Sequence, residues 1–239
     1  MKYRLKIINL LIIGILFLSL ASCVIGSGNI EREERAVIDF NRVLVGSDIE
    51  LEIEQGENES IIIEAEENII PLISTEVKDG ELIVKFNRSS IIINKSKPPK
   101  IYIIVTDLDE IKLLDDAKVS CNYLESEVLK IYLETGSSTF LNIDANELYV
   151  FASSGSMVSI SGKVEKQNIY LKNDVYYLAE DLKSNKCEAQ IGNRTNATVN
   201  VSNNITAEIS SSGNLTYIGN PEIVKKVSFG GSITKVNSK

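Results

Sequence analysis

The sequence predicts an all-β fold: a right-handed parallel β-helix with turns of about 20 residues and a less regular N-terminal part. Three observations predict it. The first is a column of residues, Ile111, Ile131, Val150, Ile169, Ala189, Ala207 and Phe229, spaced by 20, 19, 19, 20, 18 and 22 residues. Two residues on runs a second column, Leu113, Leu133, Ala152, Leu171, Ile191, Ile209 and Gly231. The second observation is the punctuation between them. Asp115-Asp116, Thr135-Gly136-Ser137, Ser154-Gly155-Ser156, Asn173-Asp174, Gly192-Asn193 and Ser212-Gly213-Asn214 fall at the same step. A short alternating strand and a polar turn repeated near every 20 residues is the signature of a solenoid. The third is composition: rich in Ile, Val, Ser, Asn and Thr, with four prolines and no tryptophan, as suits many strands joined by polar turns.

In each repeat, inward apolar positions alternate with outward Lys, Glu, Tyr, Asn and Ser. One buried face per strand, three sides per turn and each turn pairing with the next describe a coil that serves as its own crossover. An antiparallel sandwich also accommodates a strand and a turn every ten residues, but the regular step favours the coil. Six or seven turns make a body about 30 Å long.

Before the repeat the elements are shorter. Val43 and Val45, then Ile49, Leu51 and Ile53 between Glu50, Glu52 and Glu54, form a half-buried strand pair with an acidic face. Gln55-Gly56-Glu57-Asn58 turns the chain into a strand through Ile61, Ile63 and Ala65. Residues 68–77 allow one helical turn before Pro71. Lys78-Asp79-Gly80-Glu81 turns into Leu82, Val84 and Phe86, and the basic loop from Lys95 to Lys100 precedes "IYIIVT" at 101–106. The resulting division is a leader at 1–22, an anchor cysteine and short tether at 23–28, and one solenoid domain at 29–239. The domain is less regular over 29–100 and regular over 101–236.

The leader carries Lys2, Arg4 and Lys6, then an apolar run from Ile7 to Leu18. That run is too short to span a bilayer and right for a signal peptide. Leu20-Ala21-Ser22-Cys23 resembles the bacterial lipoprotein processing box, which implies that Cys23 becomes an acylated N-terminus. An ordinary signal peptide or an uncleaved anchor helix are the alternatives, and Gly26-Ser27-Gly28-Asn29 stops the apolar run against the latter. Two or more acyl chains anchor a protein stably where one does not, so the expected partner is a membrane, through lipid on Cys23.

Without the leader the chain holds 22 basic and 33 acidic residues. That excess argues against nucleic acid as a partner and against a second electrostatic hold on anionic lipid. Cys121 and Cys187 lie more than three turns apart, about 15 Å, beyond the reach of about 7 Å that a disulfide allows. Both are expected as free thiols, with Cys187 inward in the column of Leu129, Leu148, Ile205 and Val227.

Several segments in combination resemble the auto-transporter adhesin head domain called the GIN domain. They are Gly26–Ile30 ("GSGNI"), Glu34-Arg35, Phe40, "EIEQG" at 52–56, "EAEENIIPLI" at 64–73, "VKDGELIV" at 77–84 and the "SSGS" turns. The resemblance covers about residues 26–236. It implies an exported or lipid-anchored bacterial envelope protein with a parallel β-helical fold, and it brings no catalytic residues. The chain departs from the pattern at Asn173-Asp174, a turn without glycine, where Asn and Asp tolerate the left-handed backbone.

No histidine occurs anywhere, which removes Ser-His-Asp and Cys-His catalysis and His-containing zinc sites. Asp115, Asp116, Asp174 and Arg194 share one turn column. Asp116 and Asp174 are about 14 Å apart by that count, too far for a glycosidase pair. Asp115 and Asp116, read as strand neighbours, face opposite ways. No calcium-loop pattern occurs, so neither metal nor cofactor is expected. The sharper feature is Tyr132, Phe151 and Tyr170 in one outward column, with Tyr149 beside them. Such a stripe could take a glycan or protein ligand, or simply stabilise the sheet face. The function expected is a non-enzymatic, membrane-anchored envelope protein presenting a β-helical binding surface, adhesin-like in role. A carbohydrate-active enzyme on the same fold and a structural or sensory envelope component are the alternatives.

Overall fold

A computed structural model of the chain describes residues 23–37, 39–87 and 92–236. The leader expected at 1–22 and the last three residues of the expected domain lie outside the described residues. In chain order the strands are β1 (Cys23–Ile25), β2 (Ile30–Arg35), β3 (Arg42–Val45), β4 (Glu50–Gln55), β5 (Ser60–Glu66), β6 (Ile73–Lys78), β7 (Glu81–Phe86), β8 (Ile92–Asn94), β9 (Lys100–Val105) and β10 (Glu110–Leu113). Five long strands follow: β11 (Lys118–Leu133), β12 (Ser138–Ser153), β13 (Met157–Lys172), β14 (Tyr176–Ile191) and β15 (Asn196–Ile209). The chain ends in β16 (Asn214–Ile218), β17 (Glu222–Val227) and β18 (Ser232–Lys235). One 3-10 turn at Ile70–Leu72 contains Pro71.

From β10 onward every pairing is parallel and each strand pairs with the next coil. The chain is therefore a parallel β-solenoid of about seven turns, and the sandwich reading fails. Each coil has three sides. Side one carries the column Ile111–Ile131–Val150–Ile169–Ala189–Ala207. Side two carries Val119–Thr139–Val158–Tyr177–Ala197–Leu215. Side three carries Leu124–Ile143–Gly162–Leu182. All the side chains in these columns point inward and are buried, and each large aliphatic contributes about 1.5–3 kcal/mol relative to exposure.

Sides one and two meet at a corner of two residues that both have positive φ. Examples are Asp115 and Asp116 (53° and 63°), Asn173 and Asp174 (62° and 66°), and Asn193 and Arg194 (51° and 60°). The corner backbones hydrogen-bond to one another down the stack, Asp116 N–H to Thr135 O at 2.9 Å, Gly136 to Ser154 at 3.0 Å and Gly155 to Asn173 at 2.9 Å. Short polar residues and glycine recur there because they occupy the left-handed region at least cost.

The last coil corrects the sequence columns. The step after Ala207 leads to Lys225, and the step after Ile209 leads to Val227. Phe229 and Gly231 are not in the columns. Phe229 occupies the corner, with φ of 49° and 84% exposure. An aromatic residue near the right spacing imitates a core position, and nothing in the sequence marks it as the rare bulky corner residue. Likewise the column of Cys187 contains Gln167 and ends in Ile223, not Val227. Lys225 and Lys235 thus fall in inward columns of the final coil, where a charge discourages another strand from continuing the stack.

At the other end the stacking order departs from the chain order. β3 lies between β7 and β10, and β4 lies between β9 and β11. The coil formed by β7 and β9 is therefore outermost, and sequence-ordered stacking starts at β10 rather than at residue 101. Antiparallel strands close this end: β2 on β5, β5 on β9, and β6 on β7. They pair the exposed edge and cover the core, as a solenoid end requires.

Residues 24–28, expected as a tether, are not slack: β1 pairs in parallel with β8 and the Gly26 N–H donates to Asn94 O at 2.9 Å. Cys121 and Cys187 are both free and buried. Burial pushes the Cys187 thiol up to about 12, and burial also raises Cys121. Because thiolate is the reactive form, neither thiol should react with an aromatic disulfide reagent at pH 8 in the folded protein. Both should react within the mixing time after denaturation, which absorbance titration measures.

Candidate functional site

Side one presents its outward residues at the same 4.8 Å repeat as its core. One outward column reads Lys112–Tyr132–Phe151–Tyr170–Gln190–Glu208–Lys226. The three aromatic rings stack face to face. Tyr132 and Phe151 have centroids 4.8 Å apart at 8°, and Phe151 and Tyr170 lie 4.8 Å apart at 5°. The spacing of the rings is that of the strands, so the backbone register alone places them in contact. Each ring is half-buried by its neighbours.

The stack has Lys112 at one end and Gln190 next in the column at the other. The Lys112 ammonium lies 5.9 Å from the centroid of Tyr132. Glu110 and Glu81 hold that ammonium at 2.6 and 3.0 Å, and the hydrogen bond to Glu110 is the main reason its pKa is raised. Both faces of Phe151 are covered by its neighbours. Beyond Tyr170 the column continues with exposed Gln190 and Glu208, the latter bridged to Lys226 at 2.7 Å. A groove of about 530 Å³ runs along the whole stack and past it, with Tyr132, Phe151, Tyr170, Gln190, Asn193 and Glu208 among its walls. A second hollow of about 300 Å³ also borders Tyr170, Gln190 and Glu208.

Tyr149 lies two residues before Phe151 on the same outward side, in the column of Lys130 and Asn168. Its hydroxyl donates to Glu147 at 2.6 Å, and that bond is the main cause of its raised pKa. It stands beside the stack rather than in it. Lys112, Gln190 and Glu208 are the members of this site that the sequence reading missed. The same counting that aligned the tyrosines would have reached them, but they carry no aromatic signal.

The turn carboxylates sit apart from this groove's aromatic wall. Asp174 accepts two hydrogen bonds from Arg194, at 2.9 and 2.7 Å, and that bonding lowers its pKa. Asp115 and Asp116 are both corner residues, so strand alternation does not govern where they point. Three corner steps separate Asp116 from Asp174. Among the described residues, no group of three or more Cys, Asp and Glu is placed to hold a metal ion. Side two bears another apolar patch that the sequence reading did not single out, of exposed Phe140, Tyr176 and Leu178. Cys23, the expected lipid site, contributes backbone to β1, paired with Ile92.

Residues 39–221 match the family described as "Putative auto-transporter adhesin, head GIN domain". No curated protein matches the chain. Among solved structures, a "putative adhesin" from Bacteroides fragilis superposes with a TM-score of 0.82 at 23% identity, over 90% of this chain and 100% of that one. A "putative adhesin" from Parabacteroides merdae gives 0.69 at 22% identity, with the same coverage of both chains. A "Putative lipid binding protein" from Parabacteroides distasonis gives 0.71 at 22% identity, again over 90% and 100%. At these identities the structures share the fold. The family match spans most of the sequence, so the chain belongs to the GIN head-domain family.

Proposed function

We propose that this GIN-domain chain is an exported envelope lipoprotein, acylated on Cys23, whose solenoid acts as a non-enzymatic binding scaffold. Its ligand is a glycan, and the contact that matters is the Tyr170 end of the aromatic stack. One observation carries this reading: the aromatic stack lines a groove that continues past Tyr170 among amide, carboxylate and hydroxyl groups. A sugar ring offers apolar C–H faces to an aromatic ring and hydroxyls to such polar partners. The stacked geometry narrows the idea of a stripe along which sugars lie. Rings that cover each other offer the groove only their edges, and the polar partners Gln190, Asn193 and Glu208 lie past Tyr170, so ligand contact concentrates at that end. The adhesin names borne by two relatives and the exported character of the family support a role outside the cytoplasm. The wide separation of the corner carboxylates supports binding rather than glycoside hydrolysis.

A glycan-array screen of the 24–239 fragment tests this, followed by titration of the best hit. Tyr170→Ser should weaken binding about tenfold, while Tyr132→Ser, at the end closed by Lys112, should leave it within about twofold. Equal binding by folded Tyr170→Ser rejects the site. Resistance of the domain to added protease on intact cells rejects a cell-surface adhesin role.

A further inference from the structure

The five residues after Cys23 are held by the body at every step. β1 pairs with β8. Asn68 then clasps the chain on either side of Gly26, donating to Ile25 O at 2.8 Å and accepting from the Ser27 N–H at 2.9 Å. The Gly28 N–H donates to Glu66 Oε1 at 3.2 Å, and the Ser96 hydroxyl donates to the same oxygen at 2.6 Å. Asn29 reaches Glu67 Oε2 at 3.2 Å, and the Glu67 N–H returns to Asn29 O at 2.9 Å. β2 begins at the following residue and pairs with β5.

Glu66 is the deepest part of this clasp. It is almost wholly buried, and its Oε2 has no hydrogen-bond partner. Gly26 packs directly on that carboxylate, so closely that a Cβ there would overlap it. A side chain at 26 would therefore have to push the Glu66 carboxylate aside. Two large apolar side chains remain outside the clasp, Ile25 at 68% and Ile30 at 46% exposure.

We infer that the closed N-terminal end of the solenoid, with Ile25 and Ile30, lies against the lipid surface in a fixed orientation. The inference rests on the reading of Cys23 as acylated. A flexible linker of Gly and Ser would let the domain wander by about 5–6 Å times the square root of its length. Here no free residue separates the acylated position from the paired strand, so the first coil cannot leave the headgroup layer while the lipid stays inserted. Ile25 then gains burial at the acyl boundary, where apolar side chains settle. The Tyr170 end of the aromatic stack lies several coils away, held off the bilayer by the body itself.

The test uses the lipidated full chain in phosphatidylethanolamine/phosphatidylglycerol vesicles, with Cys121 and Cys187 left in place because both are buried. A fluorophore on Ile30→Cys should lose more than half its emission to nitroxide-labelled headgroups, and one on Ser228→Cys should lose little. Amides of residues 26–28 should exchange roughly tenfold more slowly than in Asn68→Ala, and that variant should also relieve the quenching. Equal quenching at both positions, or fast exchange at 26–28 in the parent chain, overturns the inference. Absence of acyl mass on Cys23 instead overturns the lipoprotein reading on which it rests.

Discussion

Replacing Tyr177 with alanine is expected to cost about 3–5 kcal/mol, the usual range for removing a buried aromatic side chain. At roughly 2–4 °C per kcal/mol for a chain of this size, the melting temperature should fall by about 6–20 °C. Tyr177 is the largest of the fully buried side chains. Its column neighbour is Ala197, and Ala179 and Ala189 are buried on the same strand, so the ring fills space that small residues leave. It is also the centre of a polar network inside the core. Its hydroxyl donates to Gln167 Oε1 at 2.9 Å, Gln167 Nε2 donates to Ser184 Oγ at 2.7 Å, and Ser184 donates to Asn200 O at 2.9 Å. Tyr177→Phe keeps the ring and orphans the Gln167 oxygen, so about 1–3 kcal/mol should be lost. Tyr177→Phe with Gln167→Leu removes both partners and should be less destabilised than the two single variants added together. Additive losses in urea unfolding would mean that the network is not coupled.

The same burial sets an alkaline limit. Burial holds the Tyr177 phenol well above its ordinary 10.0 and the Cys187 thiol at about 12 against 9.0. In the unfolded chain the thiol ionises near pH 9 and the phenol near pH 10, while in the folded chain both keep their protons. Both folded values are raised, so the stability they contribute is complete below pH 9 and declines as pH rises through the window above it. Thermal unfolding between pH 8 and 11 should show that decline, and Tyr177→Phe with Cys187→Ala should flatten it.

What the sequence disclosed follows from how each position is read. Ile111, Ile131, Val150 and Ile169 are legible because apolar side chains at a constant step can only mean a shared inward column. Tyr132, Phe151 and Tyr170 are legible by the same count, and their stacking is a direct consequence of strand spacing. Gln167 is not legible, because an amide in an apolar column is acceptable only with Tyr177 and Ser184 opposite it, which no local pattern announces. Phe229 misleads since spacing cannot distinguish an aromatic in the core from one on a corner. The placement of β3 between β7 and β10 is also hidden. Alternation marks each as a strand, but which strand pairs with which is decided by a long return of the chain. The Tyr170 end of the stack escaped for a simpler reason: an exposed Gln190 and Glu208 look like any solvated strand face until they are seen to border the same groove as the rings.

Substituting Gly162 with alanine should destabilise the protein by several kcal/mol, while Gly155→Asn should be nearly neutral, although both glycines have positive φ. The two sites separate backbone conformation from space. Gly155 sits at the corner with φ of 78° and nothing within 4 Å of a Cβ placed there. Its corner equivalents are Asp174, Arg194 and Ser212, all with positive φ, and asparagine tolerates that region well, so a change within about 0.5 kcal/mol is expected. Gly162 has φ of 107°, and a Cβ there would collide with the Ile143 carbonyl of the preceding coil and come within 2.8 Å of Asn142 Oδ1. Side-chain-bearing residues pay about 1–3 kcal/mol for such a backbone conformation, and moving a packed carbonyl adds about 1–3 kcal/mol more. That carbonyl belongs to the Leu124–Ile143–Gly162–Leu182 column, so the displacement spreads to coils on both sides. Gly219 repeats the arrangement against Val201 O with φ of 105°, and Gly219→Ala should be costly in the same way. Because it lies in the last coils, its loss should fray the C-terminal end before the rest unfolds. Hydrogen exchange along the chain distinguishes the outcomes: Gly162→Ala should lower protection on both sides of β13, and Gly219→Ala chiefly in β16 to β18. Equal melting temperatures for Gly155→Asn and Gly162→Ala would show that the close approach of coil to coil at Ile143 does not govern stability.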